Sequence, residues 1–464
     1  MQTKLGIENY IKIKGDFHPG LLIDERVETL GSLRLSFADL APSGLRALST
    51  GLIEAQEKLR AVSIFQIVDW IDRAGARWRD PNHAFRKEAE KFIPLTGIIS
   101  KEMLPGVLDD LGKTLARPIL LDFLEAELGD ANRLDRFCPK EKGLGLTRAF
   151  GPRLTTHIVP SNIGVISIIS LVCGLLAKSA NLVRVSPQQS LLPVLFARSL
   201  HEIWPEMAKT IAILSWDKSA LALTEAAFQN ADCVIVYGSD ETLTTLCNKI
   251  PVTTKAIRYG HRFSLGIVAR ESASKALAGK AALDIALYDQ KGCLSPHLYY
   301  VESGGETSPL AFAQDLAQAL QDLALHLPKS ATSPGEAARI QQIRGALPLK
   351  SGAVFSSCDG LDWTVLYDPD PTLTCSPLSR SIWIKPVVDL SEVPPLLEPY
   401  RLALQAIGYA IPEARQADLI SKMAQIGGSR MCPIGQMQKP PLTWHHDGGF
   451  RLLPLLRFVD WEQP

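Results

Sequence analysis

The sequence predicts an α/β fold, a parallel sheet with helices on both faces. After residue 154, strand-like and helix-like segments alternate at short spacing, and the strand-like ones are rich in β-branched residues. The longest apolar run, Ile163 to Ala177, is shorter than the roughly 20 residues a membrane span requires, and Gly164 and Gly174 interrupt it, so it reads as buried α/β core.

Before residue 150 the texture is helical. EAQEKLRAVSIFQIVDWIDRAGARW carries apolar residues at helical spacing. KEMLPGVLDDLGKTLARPILLDFLEAELGD continues in that style, broken by its prolines into shorter helices. Then LTTHIVPSN reads as a strand into a loop, SIISLVCGLLAKSA as a buried helix and NLVRVSP as a strand with a turn. LLPVLFARSLHEIWPEM is a helix, TIAILSW a strand, ALTEAAFQNA a helix, and DCVIVYGSDE a strand into a Gly-Ser turn. A second unit begins near 263: strand FSLGIVAR, helix ASKALAGKAALDIALYD, strand HLYYVE, helices SPLAFAQDLAQALQDLALHL and GEAARIQQIRGAL, strands WTVLYD and SRSIWIKPV, and helix LLEPYRLALQAIGYA.

The 464 residues suffice for two or three domains. Lys+Arg and Asp+Glu both number 49, so no net charge draws the chain to nucleic acid or to an anionic membrane. The N-terminus shows neither an uninterrupted apolar segment nor a small-residue cleavage site, so no signal peptide is read. The cysteines at 138, 173, 233, 247, 293, 358, 375 and 432 are scattered and form no CxxC pair. That argues against a disulfide framework and a structural zinc site, and for a reducing cytoplasm, with Cys173 and Cys233 as inert core residues.

Neither GxGxxG after a strand nor GxxxxGK[ST] is present, so the two common nucleotide fingerprints are missing. The turn YGSDE (237–241) offers backbone N–H groups and a helix N-terminus to a phosphate or a nicotinamide, and reads equally as a capped helix with Ser239 or Asp240 at the N-cap. Adjacent His445 and His446 would point apart on a strand and make a poor chelate, so no metal site is assigned. His261 stands at the junction of the two α/β units. Cys293, in YDQKGCLSP (288–296), is compatible with a buried small residue, a metal ligand, half a disulfide or a nucleophile. A nucleophilic thiolate needs accessible electropositive surroundings, and Lys291 and His297 are near it in sequence.

Four stretches in order, VPSNIG (159–164), ANLVRVSP (180–187), VYGSDE (236–241) and DQKGCLSP (289–296), resemble the aldehyde dehydrogenase superfamily and, more closely, its LuxC-type acyl-CoA reductase branch. RYGHRFSLGIV (258–268) and RMCPIGQMQKPPLTWHHDG (430–448) are similar to that branch too. The resemblance implies an aldehyde-dehydrogenase-like fold: a mainly helical region over 1–150 packing on the cofactor domain, a Rossmann-type cofactor domain over 151–262, a catalytic α/β domain over 263–430, and a segment over 431–464 returning to the cofactor domain or to an oligomer interface.

It further implies Cys293 as nucleophile, with the Asn162 amide and the Cys293 N–H as oxyanion donors. Ser161, Arg184, Ser186, Gly238 and Ser239 fall at the cofactor, and His261 is a candidate proton donor. Ser186 stands where many aldehyde dehydrogenases carry a ribose-binding lysine, while Arg184, two residues earlier on the same strand face, offers a cation to a 2′-phosphate. NADPH is therefore the expected cofactor, with NADH as the alternative. Tyr259-Gly260-His261-Arg262 aligns with the Glu-Leu-Gly-Gly run of oxidising aldehyde dehydrogenases, whose glutamate activates the hydrolytic water; no carboxylate stands here. The implied activity is reduction of an acyl-CoA or acyl-carrier-protein thioester to the aldehyde. The implied partners are a second copy of the chain and an acyl-activating enzyme. The alternatives are an acid-forming or CoA-acylating aldehyde dehydrogenase and a non-catalytic scaffold.

Overall fold

The computed structural model describes residues 11–19, 25–140, 145–160, 164–358 and 360–462. It divides into two compact units: Met1–Ile98, Pro105–Gly260 and Phe450–Pro464 form one, Ile99–Leu104 and His261–Gly449 the other.

The first unit opens with strands β1 (Ile11–Lys14), β2 (Glu25–Leu30) and β3 (Leu33–Ala38), β3 lying between the other two. Helices α1 (Pro42–Ala61), α2 (Ile64–Arg79), α3 (Ala84–Phe92), α4 (Leu104–Thr114) and α5 (Arg117–Leu128) follow. Helix α2 starts at a capping box, Ser63 and Gln66 each accepting from the other's backbone N–H. It buries Trp70 and Trp78, whose indole N–H groups donate to the Leu200 carbonyl at 2.9 Å and to Ser199 Oγ at 3.2 Å.

After β4 (Cys138–Pro139) and β5 (Leu146–Phe150) come β6 (Leu154–Ile158), α6 (Gly164–Leu176), β7 (Ala180–Arg184), α7 (Leu191–Ile203), α8 (Pro205–Ala208), β8 (Ile211–Leu214), α9 (Leu221–Gln229), β9 (Cys233–Tyr237), α10 (Asp240–Cys247) and β10 (Lys255–Tyr259). The five strands from β6 to β10 form one all-parallel sheet in the order β10-β9-β6-β7-β8. The chain runs outward from β6 to β7 and β8, then crosses back to lay β9 on the other side of β6. Phe17 and Ile213 exchange N–H···O bonds of 2.9 and 2.8 Å at the outer side of β8.

The second unit contains β11 (Phe263–Val268), α11 (Lys275–Ala286), β12 (Pro296–Glu302), α12 (Pro309–His326), α13 (Pro334–Ala346), β13 (Ala353–Ser356), β14 (Thr364–Tyr367), β15 (Ser381–Val387), α14 (Val393–Leu397), β16 (Leu404–Ala410), α15 (Glu413–Gln425) and β17 (Arg430–Pro433). The sheet order is β13-β14-β15-β12-β11-β16-β17, parallel except for β13. Alternate residues of β12 enter different cores: Leu298 and Tyr300 pack with Phe263 and Ile407 on one face, Tyr299 and Val301 with Ile285 and Phe312 on the other. A strand covered on both faces must be apolar throughout, and each large apolar side chain so buried stabilises by about 1.5–3 kcal/mol. The chain then returns to the first unit as β18 (Arg457–Trp461), antiparallel to β5.

One sequence expectation is corrected. LLEPYRLALQAIGYA is not a helix: Glu398–Ala403 is a 3-10 turn and Leu404–Ala410 is strand β16, an inner strand paired with β11 and β17. Its continuous apolar run fits either element, and tertiary pairing decides. No helix among the described residues is long and apolar enough to cross a membrane. None of the His, Cys, Asp and Glu side chains described forms a group able to hold a metal ion.

Candidate active site

In the first unit the candidate region is the carboxyl ends of β6 to β9. In an open parallel sheet, ligands bind at the point where the strand order reverses, here at β6 between β7 and β9. Ser161 and Asn162, in the loop after β6, lie outside the described residues. Gly238 follows β9 and its N–H donates to Tyr259 O at 3.1 Å; a Cβ there would meet the Thr242 side chain at 2.8 Å. Ser239 caps α10, its Oγ accepting from the Thr242 N–H. Ser186 follows β7 and Ser215 follows β8, and both hydroxyls are buried with no hydrogen-bond partner among the described residues.

Orphaned hydroxyls at this edge fit the ribose groups of a dinucleotide. Arg184 is buried, donates to the Trp216 carbonyl at 2.7 Å, and has its pKa lowered by burial. Arg26 donates to Ser215 O at 2.7 Å, and the exposed Asp217 carboxylate interacts with both guanidiniums. Arg26 is also paired with Glu28, so the edge carries two cations, two hydroxyls and two acids.

A buried chain of polar groups stiffens this sheet. Asn181 Nδ2 donates to Ser179 O, which leaves its Oδ1 to accept from His157 Nε2 at 3.0 Å. His157 Nδ1 then accepts from Ser170 Oγ at 2.8 Å, and Ser170 is bonded to the Tyr237 hydroxyl. Burial pushes His157 down to about 4, so the ring is neutral, and the same burial pushes Tyr237 far up. Gly174 makes room: a Cβ there would lie 1.8 Å from Asn181 Oδ1. Tyr237 ends β9 and stacks on Tyr259 at the end of β10, ring centroids 4.6 Å apart at 20°.

In the second unit the candidate region is the turn before β12. Tyr288, Asp289 and Gln290 adopt left-handed backbone angles, φ 56°, 51° and 62°. None is glycine, so each costs on the order of 1–3 kcal/mol unless its surroundings fix it. They do so from a second left-handed triplet, Leu378, Ser379 and Arg380, φ 65°, 57° and 58°. Arg380 Nε donates to Asp289 Oδ1 at 2.9 Å, and Ser330 donates to the other carboxylate oxygen through both N–H and Oγ. Gln290 is fully satisfied: Nε2 donates to Pro296 O and Ser381 O at 2.7 Å each, and Oε1 accepts from Ser381 N at 2.8 Å. The turn is thereby sewn to the first residues of β12 and β15.

Cys293 follows, half-buried against Leu294, Ala406, Cys432, Met437 and Trp444. Ser264 Oγ accepts from Ala406 N at 3.1 Å and donates to Cys293 O at 2.7 Å, holding the residue by its backbone. All eight cysteines are thiols. Burial pushes Cys432 up to about 11, so this neighbour is inert. The loop carrying Met437 is clamped from two sides. Asp284 accepts from the N–H groups of Gly435 and Met437, and Arg430 donates to the carbonyls of Met437 and Gln436.

His297 does not supply a cation for a thiolate. Its Nδ1 accepts from Ser376 N at 3.2 Å, and burial, reinforced by the nearby His261, pushes it down to about 4. Lys291 Nζ donates to Ser330 Oγ at 3.1 Å. His261 is exposed just before β11. Residues not singled out in the sequence are Ser264, Asp284, Asp289, Gln290, Arg380, Ser215 and Tyr237. Ser264, Asp289, Gln290 and Tyr237 lay within or beside stretches quoted for the resemblance; Asp284, Arg380 and Ser215 did not.

Comparison with known proteins agrees with this architecture. Glyceraldehyde-3-phosphate dehydrogenase from Bacillus halodurans C-125, solved with NADP, superposes with a TM-score of 0.74 at 14% identity, covering 95% of this chain and 96% of its own. Lactaldehyde dehydrogenase from Escherichia coli gives 0.69 at 12% identity, with 96% of each chain covered. The fold is that of aldehyde dehydrogenases. Curated relatives include a long-chain acyl-protein thioester reductase of Aliivibrio fischeri, 24% identical over 408 residues (87% of this chain, 83% of that one). Another is long-chain acyl-protein thioester reductase 2 of Photobacterium leiognathi, 24% identical over 447 residues (94% and 89%). The profile of the acyl-CoA reductase (LuxC) family matches residues 59–458, and the chain belongs to that family of oxidoreductases.

Proposed function

We propose that the protein reduces a long-chain acyl thioester to the aldehyde through an acyl-enzyme on Cys293, with NADPH as the preferred reductant. The observation that carries this reading is Tyr259. Where an acid-forming relative places the glutamate that activates water, this chain ends β10 with a tyrosine stacked on Tyr237. Without that base, an acyl-enzyme is protected from hydrolysis.

Cys293, fixed by Ser264 and by the sewn turn, attacks the thioester carbonyl and expels the donor thiol. Its own N–H and the Asn162 amide are the proposed oxyanion donors, each worth about 3–4 kcal/mol in comparable sites. The nicotinamide cofactor, when bound, supplies the hydride. The Cys293 thiohemiacetal then collapses, breaking the C–S bond and releasing aldehyde and thiolate. Ser186, Ser215 and Gly238 are the proposed dinucleotide contacts, and Arg184 with Arg26 favours a 2′-phosphate. His261 is the proposed proton donor. The substrate class follows the names of the relatives: a fatty acyl group on CoA or on a protein.

Incubation with an acyl-CoA, mass spectrometry of the Cys293 peptide, then NADPH addition and an aldehyde assay test the reading. Expected are a stable adduct and aldehyde on reduction. Absence of an adduct defeats the nucleophile assignment; an adduct cleared by water before NADPH is added supports the acid-forming alternative instead.

A further inference from the structure

At the opposite end of the five-stranded sheet lies a cavity of about 240 Å³, opening on a cleft of about 820 Å³ with which it shares Phe150, Gly151, Arg153, Asp232 and Arg457. Arg153, Lys178 and Asp232 sit just before β6, β7 and β9. The proposed dinucleotide contacts lie beyond the carboxyl ends of those strands. Five-residue strands separate the two ends by about 16 Å.

The lining is strongly cationic: Arg60, Arg148, Arg153, Lys178 and Arg457 against one carboxylate, Asp232. Two of the cations are neutralised. Arg153 donates from two nitrogens to Asp232, and Lys178 pairs with Asp135. The other three gather on one phenyl ring. Arg148 and Phe150 are two residues apart on β5, and Arg457 of β18 pairs with Phe150 in the antiparallel register, so all three share one face of that sheet.

The guanidinium carbons of Arg148, Arg457 and Arg60 lie 4.7, 4.9 and 5.9 Å from the Phe150 centroid. Among the described residues none of these three forms an ion pair, and the buried Arg148 Nε has no hydrogen-bond partner. Three like charges around one ring repel unless an anion joins them. A second orphan lines the same space. Gln56 is 3% exposed, its Nε2 donates to Lys178 O at 2.8 Å, and its Oε1 is buried without a partner. The site therefore asks for several negative charges and one hydrogen-bond donor.

We propose that this cavity binds a compact oligophosphate, a diphosphate group bearing at least one O–H or N–H, at a site separate from the dinucleotide edge. A terminal phosphate carries about −1.5 to −2 charge near neutral pH and presents oxygens that match guanidinium forks. Three guanidiniums therefore suit two linked phosphates better than one carboxylate. Gln56 Oε1 takes the ligand's proton donor. Because the two ends of the sheet are distinct, occupancy does not displace NADPH.

Isothermal titration of the full chain with inorganic pyrophosphate at pH 7.5, in low and moderate salt, tests the proposal. Expected is a salt-sensitive binding isotherm, weakened at least tenfold by Arg148→Ala or Arg457→Ala and abolished when Arg60→Ala is added to both, with the NADPH affinity of every variant unchanged. Arg60 and Arg457 are exposed, so their variants report on binding with the fold retained; thermal melts verify this. Three results overturn the proposal: no binding by the wild type, binding that survives in the triple variant, or competition between pyrophosphate and NADPH. A triple variant that changes oligomeric state, with no pyrophosphate binding by the wild type, assigns the arginines to a contact between copies and overturns it as well.

Discussion

Arg380 and Asp289 meet at 2.7 Å with side chains 2% and 1% exposed, and that pair joins two left-handed turns 91 residues apart in the chain. The turn ending at Gln290 leads into Cys293, so a buried charge pair helps fix where that thiol stands. Arg380→Ala leaves a buried carboxylate without its partner and should cost about 3–5 kcal/mol of stability. Arg380→Lys keeps the charge but loses the fork that also reaches the Leu327 carbonyl, and should recover only part of the melting temperature. In the lysine variant the rate of Cys293 acylation should fall while the KM for the thioester stays close to wild type. An unchanged acylation rate would confine the pair to a folding role.

Tyr259 is predicted to govern the fate of the acyl-enzyme. Tyr259→Glu places a carboxylate where hydrolytic relatives have one, and single-turnover assays should then show free acid rising at the expense of aldehyde. Tyr259→Phe keeps the stack on Tyr237 and should keep the aldehyde yield. If the glutamate variant still forms the Cys293 adduct and partitions as the wild type does, the residue does not protect the thioester.

Arg184 is predicted to set cofactor preference. Its guanidinium is anchored on the Trp216 carbonyl, close to Arg26 and to the Asp217 acid. Arg184→Gln should lower the ratio of kcat/KM for NADPH over NADH by about tenfold, the effect of losing one charge-assisted contact. A parallel melt controls for its burial. An unchanged ratio removes Arg184 from cofactor recognition.

Asp284 should impose a pH dependence on stability. Burial raises its pKa from 3.8 to about 6 despite the N–H groups of Gly435 and Met437, and the charged or titratable groups facing it are Arg430, Cys432 and Tyr299. A carboxyl whose folded pKa lies above its unfolded one favours folding when protonated. Its contribution is complete below pH 4 and is lost as pH rises through 6, about 3 kcal/mol in all. Asp284→Asn removes the titration, so denaturant midpoints between pH 4 and 7 should slope less than in the wild type. Equal slopes would show that Asp284 does not titrate in this range.

The parallel-sheet architecture was legible because strands buried on both faces must be continuously apolar, as in CVIV and LYYV. The same property misled at Leu404–Ala410, where a buried strand and a buried helix look alike. The short strands β1 and β2 escaped notice because IKIK and ERVETL are brief and bury little, so their two-residue alternation is easily missed. Cys293 and the Gly238 turn were singled out from ordered motifs, and each stands at the carboxyl-end side of a sheet or just before a strand. The turn that carries the cysteine was not legible: left-handed Tyr, Asp and Gln residues have no glycine to betray them, and their anchors, Ser330 and Arg380, are distant in sequence. Arg184 ends β7, and its carbonyl anchor, Trp216, follows β8 and comes beside it only once the sheet has formed.

The two outer strands of the five-stranded sheet are guarded against pairing with other chains by different means. Beside β10, the exposed Lys255 and Arg258 make the edge costly to approach. Beside β8, among the described residues, Phe17 occupies the N–H and C=O of Ile213 along an edge whose side chains are wholly apolar. Colloidal behaviour should therefore hinge on a site remote from catalysis. Protein lacking residues up to Phe17 should form β-rich aggregates on gentle heating, measured by light scattering, at temperatures where the chain retaining them stays clear, and charge-neutralising changes at β10 should add to that tendency independently.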